Sequence, residues 1–195
     1  MVAKALLVID YIKGIALGGG SCANYLKEYP YVIENTNALI DCARNHGIPI
    51  YHIRLAFDSE YHGLPKYAPS ANAIKGNQRF QLNSEATEFI SDIQIKSEDH
   101  IINKTYGDIF HGNSLMQLLK NNHTKEIILT GVSTDNAILN SSNTAILNDL
   151  YVTVVQDACG APTMTAHENA LGIMKGRTAS EIADTEVVMQ ALSKP

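Results

Sequence analysis

Cysteine is scarce in this chain of 195 residues, and long apolar runs are absent. Its three cysteines, Cys22, Cys42 and Cys159, are odd in number and lack the close paired spacing of zinc ligands. This pattern argues against a disulfide framework and a zinc site, so we expect three reduced packing cysteines. The apolar run at residues 5–9 is too short for a signal sequence, and no run approaches the roughly 18 residues of a membrane-spanning helix. We therefore expect a cytoplasmic protein without a membrane partner.

Concentrated positive charge is also missing. The chain has 15 Lys and Arg against 20 Asp and Glu, a net charge of −5, and the charges are scattered along its length. This distribution argues against binding to nucleic acid or to an anionic membrane and favours a small-molecule ligand. With 45% hydrophobic residues, the chain can bury one sizeable core and is short for two, so residues 1–195 are expected to form a single domain.

The apolar runs that are present predict a parallel sheet. Residues 5–9, 127–130 and 152–155 are short, rich in β-branched side chains and continuously apolar. Residues 48–53 form a less regular candidate strand, and residues 101–104 form another. Strands that are apolar along their whole length are typical of a parallel sheet covered on both faces.

Helical patterns alternate with these strands, at residues 32–46, 113–120 and 134–148. The order predicts right-handed βαβ units in a Rossmann-like, three-layer α/β/α sandwich around a mostly parallel sheet, where ligands bind beyond the carboxyl ends of the strands. Residues 57–82 contain Pro and Gly without any period and are interpreted as a long loop, either a functional lid or a solvated insertion. Residues 166–192 are expected to form one or two closing helices, broken near Gly176.

Two opposite charges stand at the ends of predicted strands. Asp10 directly follows the first apolar run, and Lys104 closes the candidate strand of residues 101–104. Each is followed by an irregular segment. Because the carboxyl ends of parallel strands meet at one edge of a sheet, we expect both side chains to line a shared cleft.

The chain resembles the isochorismatase-like hydrolases in several motifs taken in order: residues 6–10, residues 101–110, the turn Gly131-Val132-Ser133-Thr134-Asp135, and residues 155–159. The resemblance implies an active site formed by Asp10, Lys104 and residue 137. It also implies a cis peptide bond between Val132 and Ser133, and an oxyanion hole made by the backbone N–H groups of Ser133 and residue 137. Family members commonly form homo-oligomers, which implies a dimer or a larger assembly here.

Residue 137 is an alanine, whereas the cysteine-using members of this family carry their nucleophile at that position. A methyl group cannot attack a carbonyl, so covalent amide hydrolysis of that type is excluded for this chain. A second branch of the family works with a small residue there, and its Asp protonates the vinyl-ether carbon of isochorismate. By this resemblance, Asp10 is the general acid and Lys104 gives it electrostatic support.

The sequence also offers candidates for contacts with a carboxylate-bearing or cyclic substrate: Tyr11, Arg54, Arg79, Tyr106 and Phe110. The metal signature of the nicotinamidase branch is missing, so we expect neither a metal nor another cofactor. Two other functions remain open. One is a cysteine amidase whose nucleophile has been replaced by Ala137, and the other is a catalytically silent binding protein on the same fold.

Overall fold

A parallel sheet forms the centre of the computed structural model, which describes residues 3–193. Within that range the sheet has six strands in the order β3-β2-β1-β4-β5-β6, and every neighbouring pair is parallel. This confirms the predicted fold class. The strands are β1 Lys4–Ile9, β2 Ile50–Leu55, β3 His100–Lys104, β4 Glu126–Val132, β5 Tyr151–Gly160 and β6 Glu181–Ala183.

Eight α-helices are found among the described residues. They are α1 Lys13–Ala16, α2 Ala23–Glu28, α3 Tyr31–Asn45, α4 Ala71–Gly76, α5 Leu115–Asn121, α6 Leu139–Ile146, α7 Met164–Met174 and α8 Thr185–Leu192. A 3₁₀ turn at Glu85–Thr87 and a π-helical turn at Thr134–Ile138 complete the regular structure. No helix in residues 3–193 has both the length and the apolar character that crossing a membrane requires.

The helices cover both faces of the sheet, because each face of the central strands is apolar. Leu6 and Val8 of β1 point into a core that includes buried side chains of α3 and α8. Ala5, Leu7 and Ile9 alternate with them and point into a second core, which is shared with α5, α6 and α7. Successive side chains of β1 therefore point to opposite faces of the sheet, and the helices that cover both faces make the three layers.

Four local predictions differ from the structure. The second strand begins at Ile50, after a proline that has no N–H to offer, and continues to Leu55. The helix expected at residues 134–148 starts as the π-helical turn and is α-helical only from Leu139. The segment at residues 57–82 is a folded cover: it contains α4, and Phe57, Ile74 and Phe80 belong to a third apolar cluster. The closing segment contains two helices, as expected, and also the edge strand β6, which was missed.

The strand order reverses between β1 and β4, so the connections that leave these two strands run to opposite sides of the sheet. A crevice opens at such a point beyond the carboxyl ends of the strands. Asp10 directly follows β1, and Ser133 directly follows β4. The fold therefore brings these residues, far apart in sequence, to one place.

Candidate active site

Asp10 is held at the end of β1 by its backbone and by its side chain. It has a positive φ of 56°, and its N–H donates to the carbonyl of Ile53 at 2.8 Å. One carboxylate oxygen, Oδ1, accepts the backbone N–H of Leu55 at 2.8 Å. Only 3% of the residue is exposed. The carboxyl group is therefore fixed against the end of β2, with its second oxygen left for another partner.

That partner is Lys104, the last residue of β3. Its Nζ lies 2.7 Å from Asp10 Oδ2 and donates to the backbone carbonyl of Tyr106 at 2.8 Å. Lys104 is only 2% exposed. Two buried opposite charges thus face each other, as the sequence predicted for a shared cleft.

Burial and charge act on Asp10 in opposite directions. Removal from water disfavours the carboxylate and raises its pKa, whereas the Lys104 ammonium lowers it by attraction and by hydrogen bonding. Burial is the larger effect, so the pKa of Asp10 lies above its ordinary value. The site therefore favours the protonated acid more than water does.

The segment after β4 closes the site from the other side. The peptide bond between Val132 and Ser133 is cis, as the resemblance implied. The carbonyl of Ser133 accepts the N–H groups of Asn136 at 3.3 Å and Ile138 at 3.0 Å, which shapes the π-helical turn. Ala137 lies in this turn and is 2% exposed. Turns of this kind occur frequently at functional sites.

A cavity of about 130 Å³ lies between these elements. All three residues assigned to the active site line it, together with Ser133 and Tyr106. Its full lining combines one ion pair with apolar and uncharged polar side chains: Asp10, Ile15, Ser21, Leu55, Ser70, Ile74, Lys104, Tyr106, Gly107, Ser133, Asn136 and Ala137.

The two arginines expected to bind a substrate carboxylate lie outside this cavity. Arg54 belongs to β2, where its guanidinium donates to Asn103 Oδ1 at 2.8 Å and to the carbonyl of Thr87 at 3.1 Å. Arg79 lies over the ring of Phe80, 4.9 Å from the ring centroid, and lines a separate surface groove. The partners of Arg54 are remote in sequence, so local sequence does not reveal them.

Two of the three aromatic residues expected at the substrate also lie outside the cavity. Tyr11 is 1% exposed, and its hydroxyl lies 2.8 Å from Thr36 Oγ1 inside the core. Phe110 packs against the core on the α5 side of the sheet. Tyr106 does line the cavity, and its hydroxyl lies 3.4 Å from Ser70 Oγ.

Sequence reasoning missed several other residues of the lining, among them Ser70, Ile74 and Asn136. Ser70 and Ile74 come from the segment at residues 57–82, which supports its interpretation as a lid over the site. Asn136 comes from the π-helical turn, one residue before Ala137. Because it is adjacent to a predicted site residue, it could have been predicted as a lining residue from the sequence.

No thiol replaces the missing nucleophile among residues 3–193. Cys22 follows the lining residue Ser21 but is fully buried, and burial raises the pKa of its thiol to about 12. Burial also raises the pKa values of Cys42 and Cys159, and all three cysteines are free. A thiolate is the reactive form of cysteine, so these groups are poor nucleophiles near neutral pH.

Comparison with known proteins agrees with the motifs. The family model of the isochorismatase domain matches residues 4–187. The isochorismatase family protein YaaI of Bacillus subtilis is 24% identical over 187 residues, which cover 96% of this chain and 97% of that protein. Enterobactin synthase component B of Escherichia coli is 23% identical over 161 residues, covering 80% of this chain and 53% of that protein.

Solved structures share the fold. A cysteine hydrolase from Pseudomonas syringae superposes with a TM-score of 0.86 at 18% identity, covering 97% of this chain and 92% of that one. An N-carbamoylsarcosine amidase from Thermoplasma acidophilum superposes with a TM-score of 0.75 at 19% identity, covering 95% and 98%. Since the family model spans nearly the whole chain and the fold agrees, this chain belongs to the isochorismatase family of hydrolases.

Proposed function

We propose that this protein hydrolyses a small molecule by general acid catalysis at Asp10, without a covalent intermediate. The observation that carries the proposal is a buried Asp10–Lys104 pair on a cavity where residue 137 is alanine. The methyl group of Ala137 can neither attack a substrate nor transfer a proton. Asp10 is the lining group best able to transfer one, because its carboxyl is fixed in place and its pKa is raised by burial.

The reaction class that fits such an acid is the hydrolysis of a vinyl ether. The Asp10 carboxylic acid protonates the terminal vinyl carbon, and the ether oxygen shares its electrons to form an oxocarbenium ion. Water adds to the cationic carbon and returns a proton to the Asp10 carboxylate. In the resulting hemiketal, the C–O bond to the alcohol breaks. The hydroxyl proton passes to the leaving alcohol oxygen, and a carbonyl compound remains. Atoms and protons balance, and Asp10 ends each cycle as it began.

Lys104 has a distinct part in this cycle. Once Asp10 has given up its proton, a bare carboxylate would remain in a site with little access to water. The ammonium at 2.7 Å stabilises that carboxylate, so the proton transfer is less uphill. In this scheme the backbone N–H groups of Ser133 and Ala137 form the oxyanion hole that the family resemblance implies, and they would bind oxygen atoms of the hemiketal.

The presence of the buried ion pair supports an enzyme over a silent binding protein. Taking two charges out of water costs free energy that their mutual attraction often fails to return, and apolar replacements are frequently as stable. A scaffold would gain little from such a pair. Because Arg54 and Arg79 lie outside the cavity, we propose the reaction class without committing to isochorismate itself as the substrate.

The proposal is tested by measuring the carbonyl product released from isochorismate and, in parallel, from the uncharged compound ethyl vinyl ether. We expect release from at least one, and a loss of roughly 10²–10⁴-fold in Asp10→Asn, which removes the proton donor. Asp149→Asn is the matched control: it makes the same change in a groove lined by Lys120, His123 and Leu147 and should retain full activity. If the parent chain releases no more product than Asp10→Asn from either compound, the proposal is wrong.

A further inference from the structure

The cation that lines the cavity already has partners in the protein. Among its described lining residues, Lys104 is the only lysine or arginine. Its Nζ already lies 2.7 Å from Asp10 Oδ2 and donates to the carbonyl of Tyr106. A substrate carboxylate would lose its hydration and would have to draw Lys104 away from these two partners, whereas a neutral substrate would not.

Asn136 places an amide at the mouth of this cavity. Its Oδ1 accepts an N–H from Nδ2 of Asn140, four residues further along in α6, at 2.9 Å. Its own Nδ2 has no recorded hydrogen-bond partner within residues 3–193. An amide whose oxygen is occupied and whose nitrogen is free presents two N–H donors to whatever binds beside it.

Gly107 keeps that amide in this orientation. A Cβ at position 107 would lie 2.5 Å from Asn136 Oδ1 and 3.2 Å from Asn140 Nδ2. The backbone of Gly107 thus packs directly against the hydrogen bond between the two amides. Gly107, in the loop after β3, and Asn140, in α6, thus hold the Asn136 side chain in place, although it is exposed.

The remaining lining suits a small, uncharged molecule. The volume of about 130 Å³ is well below the roughly 300–1,000 Å³ of pockets for drug-sized ligands. Ile74 and the hydroxyl pair of Ser70 and Tyr106, 3.4 Å apart, supply an apolar contact and neutral polar groups.

We infer that Asn136 is a specificity-determining residue, which donates from Nδ2 to an uncharged oxygen acceptor and selects small neutral substrates over carboxylates. The inference rests on the proposed function, because it takes this cavity as the substrate site. It adds a residue that recognises the substrate without touching the acid chemistry of Asp10.

The test uses binding without turnover, with propionamide and propionate as matched probes of nearly equal shape. Each is titrated into ¹⁵N-labelled protein while the side-chain amide resonances are followed, and the Asn136 signals are assigned by their loss in Asn136→Asp. Propionamide should shift these signals saturably, and propionate should bind at least about tenfold more weakly. In Asn136→Asp, loss of the donor should weaken propionamide about tenfold. Asn121→Asp, which makes the same change at the far end of α5, should leave binding unchanged.

Three outcomes would overturn the inference: no saturable binding of propionamide, equal binding of propionate, or unchanged binding in Asn136→Asp. None of these depends on hydrolysis, because neither probe is a vinyl ether. A failure of Asp10-dependent product release would thus refute the proposed reaction and leave this selectivity standing. Selective release from isochorismate over ethyl vinyl ether would refute the selectivity and leave the acid chemistry intact.

Discussion

Lys104 and Asp10 meet across a strand that contains neither of them. The side chain of Lys104 extends from the end of β3 past the end of β2. Its ammonium lies 2.7 Å from the carboxylate that follows β1. The intervening strand takes part as well, because its last residue, Leu55, donates its N–H to the other carboxylate oxygen. Three strand ends therefore fix one carboxyl group, and each of its oxygens has a separate partner.

The first prediction concerns pH. If catalysis needs protonated Asp10, kcat/KM should fall as pH rises through the raised pKa of that carboxyl. The Lys104 ammonium lowers this pKa, so Lys104→Met should raise it further and move the falling limb of the profile to higher pH. Lys120→Met removes an exposed ammonium from α5 and should leave the limb in place. A limb that stays still or moves to lower pH in Lys104→Met would contradict the assignment.

The second prediction separates the proposed reaction from a lost amidase. Ala137→Cys introduces a thiol on the cavity that contains Asp10, at the position where the resemblance implies the nucleophile of the cysteine-using members. Under the proposed function, the change should not increase release of carbonyl product from a vinyl ether, because no step uses a nucleophilic side chain. Ammonia release from a panel of small amides is measured on the same protein. Its appearance from a background near zero would show that the chain is an amidase that lacks only its thiol.

The positions of Asp10 and Lys104 could be predicted because each ends an apolar strand, and parallel strands share one edge for their carboxyl ends. The position of the Arg54 side chain could not be predicted. It depends on the carbonyl of Thr87 and the side-chain amide of Asn103, which only folding brings close to it. The alternation of residues along a strand predicts which face of the sheet a side chain lies on, but it does not predict the contacts that the side chain makes there.

The edge strand and the folded interior of the lid could not be predicted, for a related reason. The strand Glu181–Ala183 is three residues long, too short for a periodic pattern to distinguish it from a frayed helix. In the lid, Ile74 and Phe80 are buried against Ile12, which is remote in sequence. Their apolar side chains are explained only by the folded structure, in which the lid packs against the segment that contains Ile12.

The third prediction addresses how the Asn136 amide is oriented. In Gly107→Ala the new Cβ would meet Asn136 Oδ1 at 2.5 Å, so the amide must turn or move. Asn140→Ala removes the hydrogen bond that holds the same oxygen. Each change should weaken propionamide binding severalfold, since the loss of one hydrogen bond costs about 1 kcal/mol. Binding is measured by the same titration, and unchanged affinity in both variants would show that the orientation of the amide does not matter.

The fourth prediction concerns the attachment of the lid. His111 Nε2 lies 2.9 Å from the carbonyl of Gly63, and the side chain of Thr105 packs against both Gly63 and Gly112. In His111→Ala, amide hydrogen exchange across residues 57–82 should become faster, because one tether between the lid and the site is lost. The free energy of unfolding should fall by no more than about 1 kcal/mol. Unchanged exchange in the lid would show that His111 does not hold it.

The last prediction compares two glycines. Gly131 in β4 has a φ of 113°, and a Cβ there would lie 2.2 Å from the carbonyl oxygen of Ile9 in β1. Gly131→Ala combines an unfavourable backbone conformation with a clash against backbone that cannot move aside, so it should lower the free energy of unfolding by about 3 kcal/mol or more. Gly172 lies in α7 with no atom within 4 Å of such a Cβ, and Gly172→Ala should stabilise by about 0.5–1 kcal/mol. Urea unfolding of both variants decides the matter. Gly131 stands two residues before Ser133, close to the ends of β1 and β4. Equal stability of the two variants would mean that the backbone can shift where these strands end. The positions of the site residues that depend on a rigid backbone there would then not be supported.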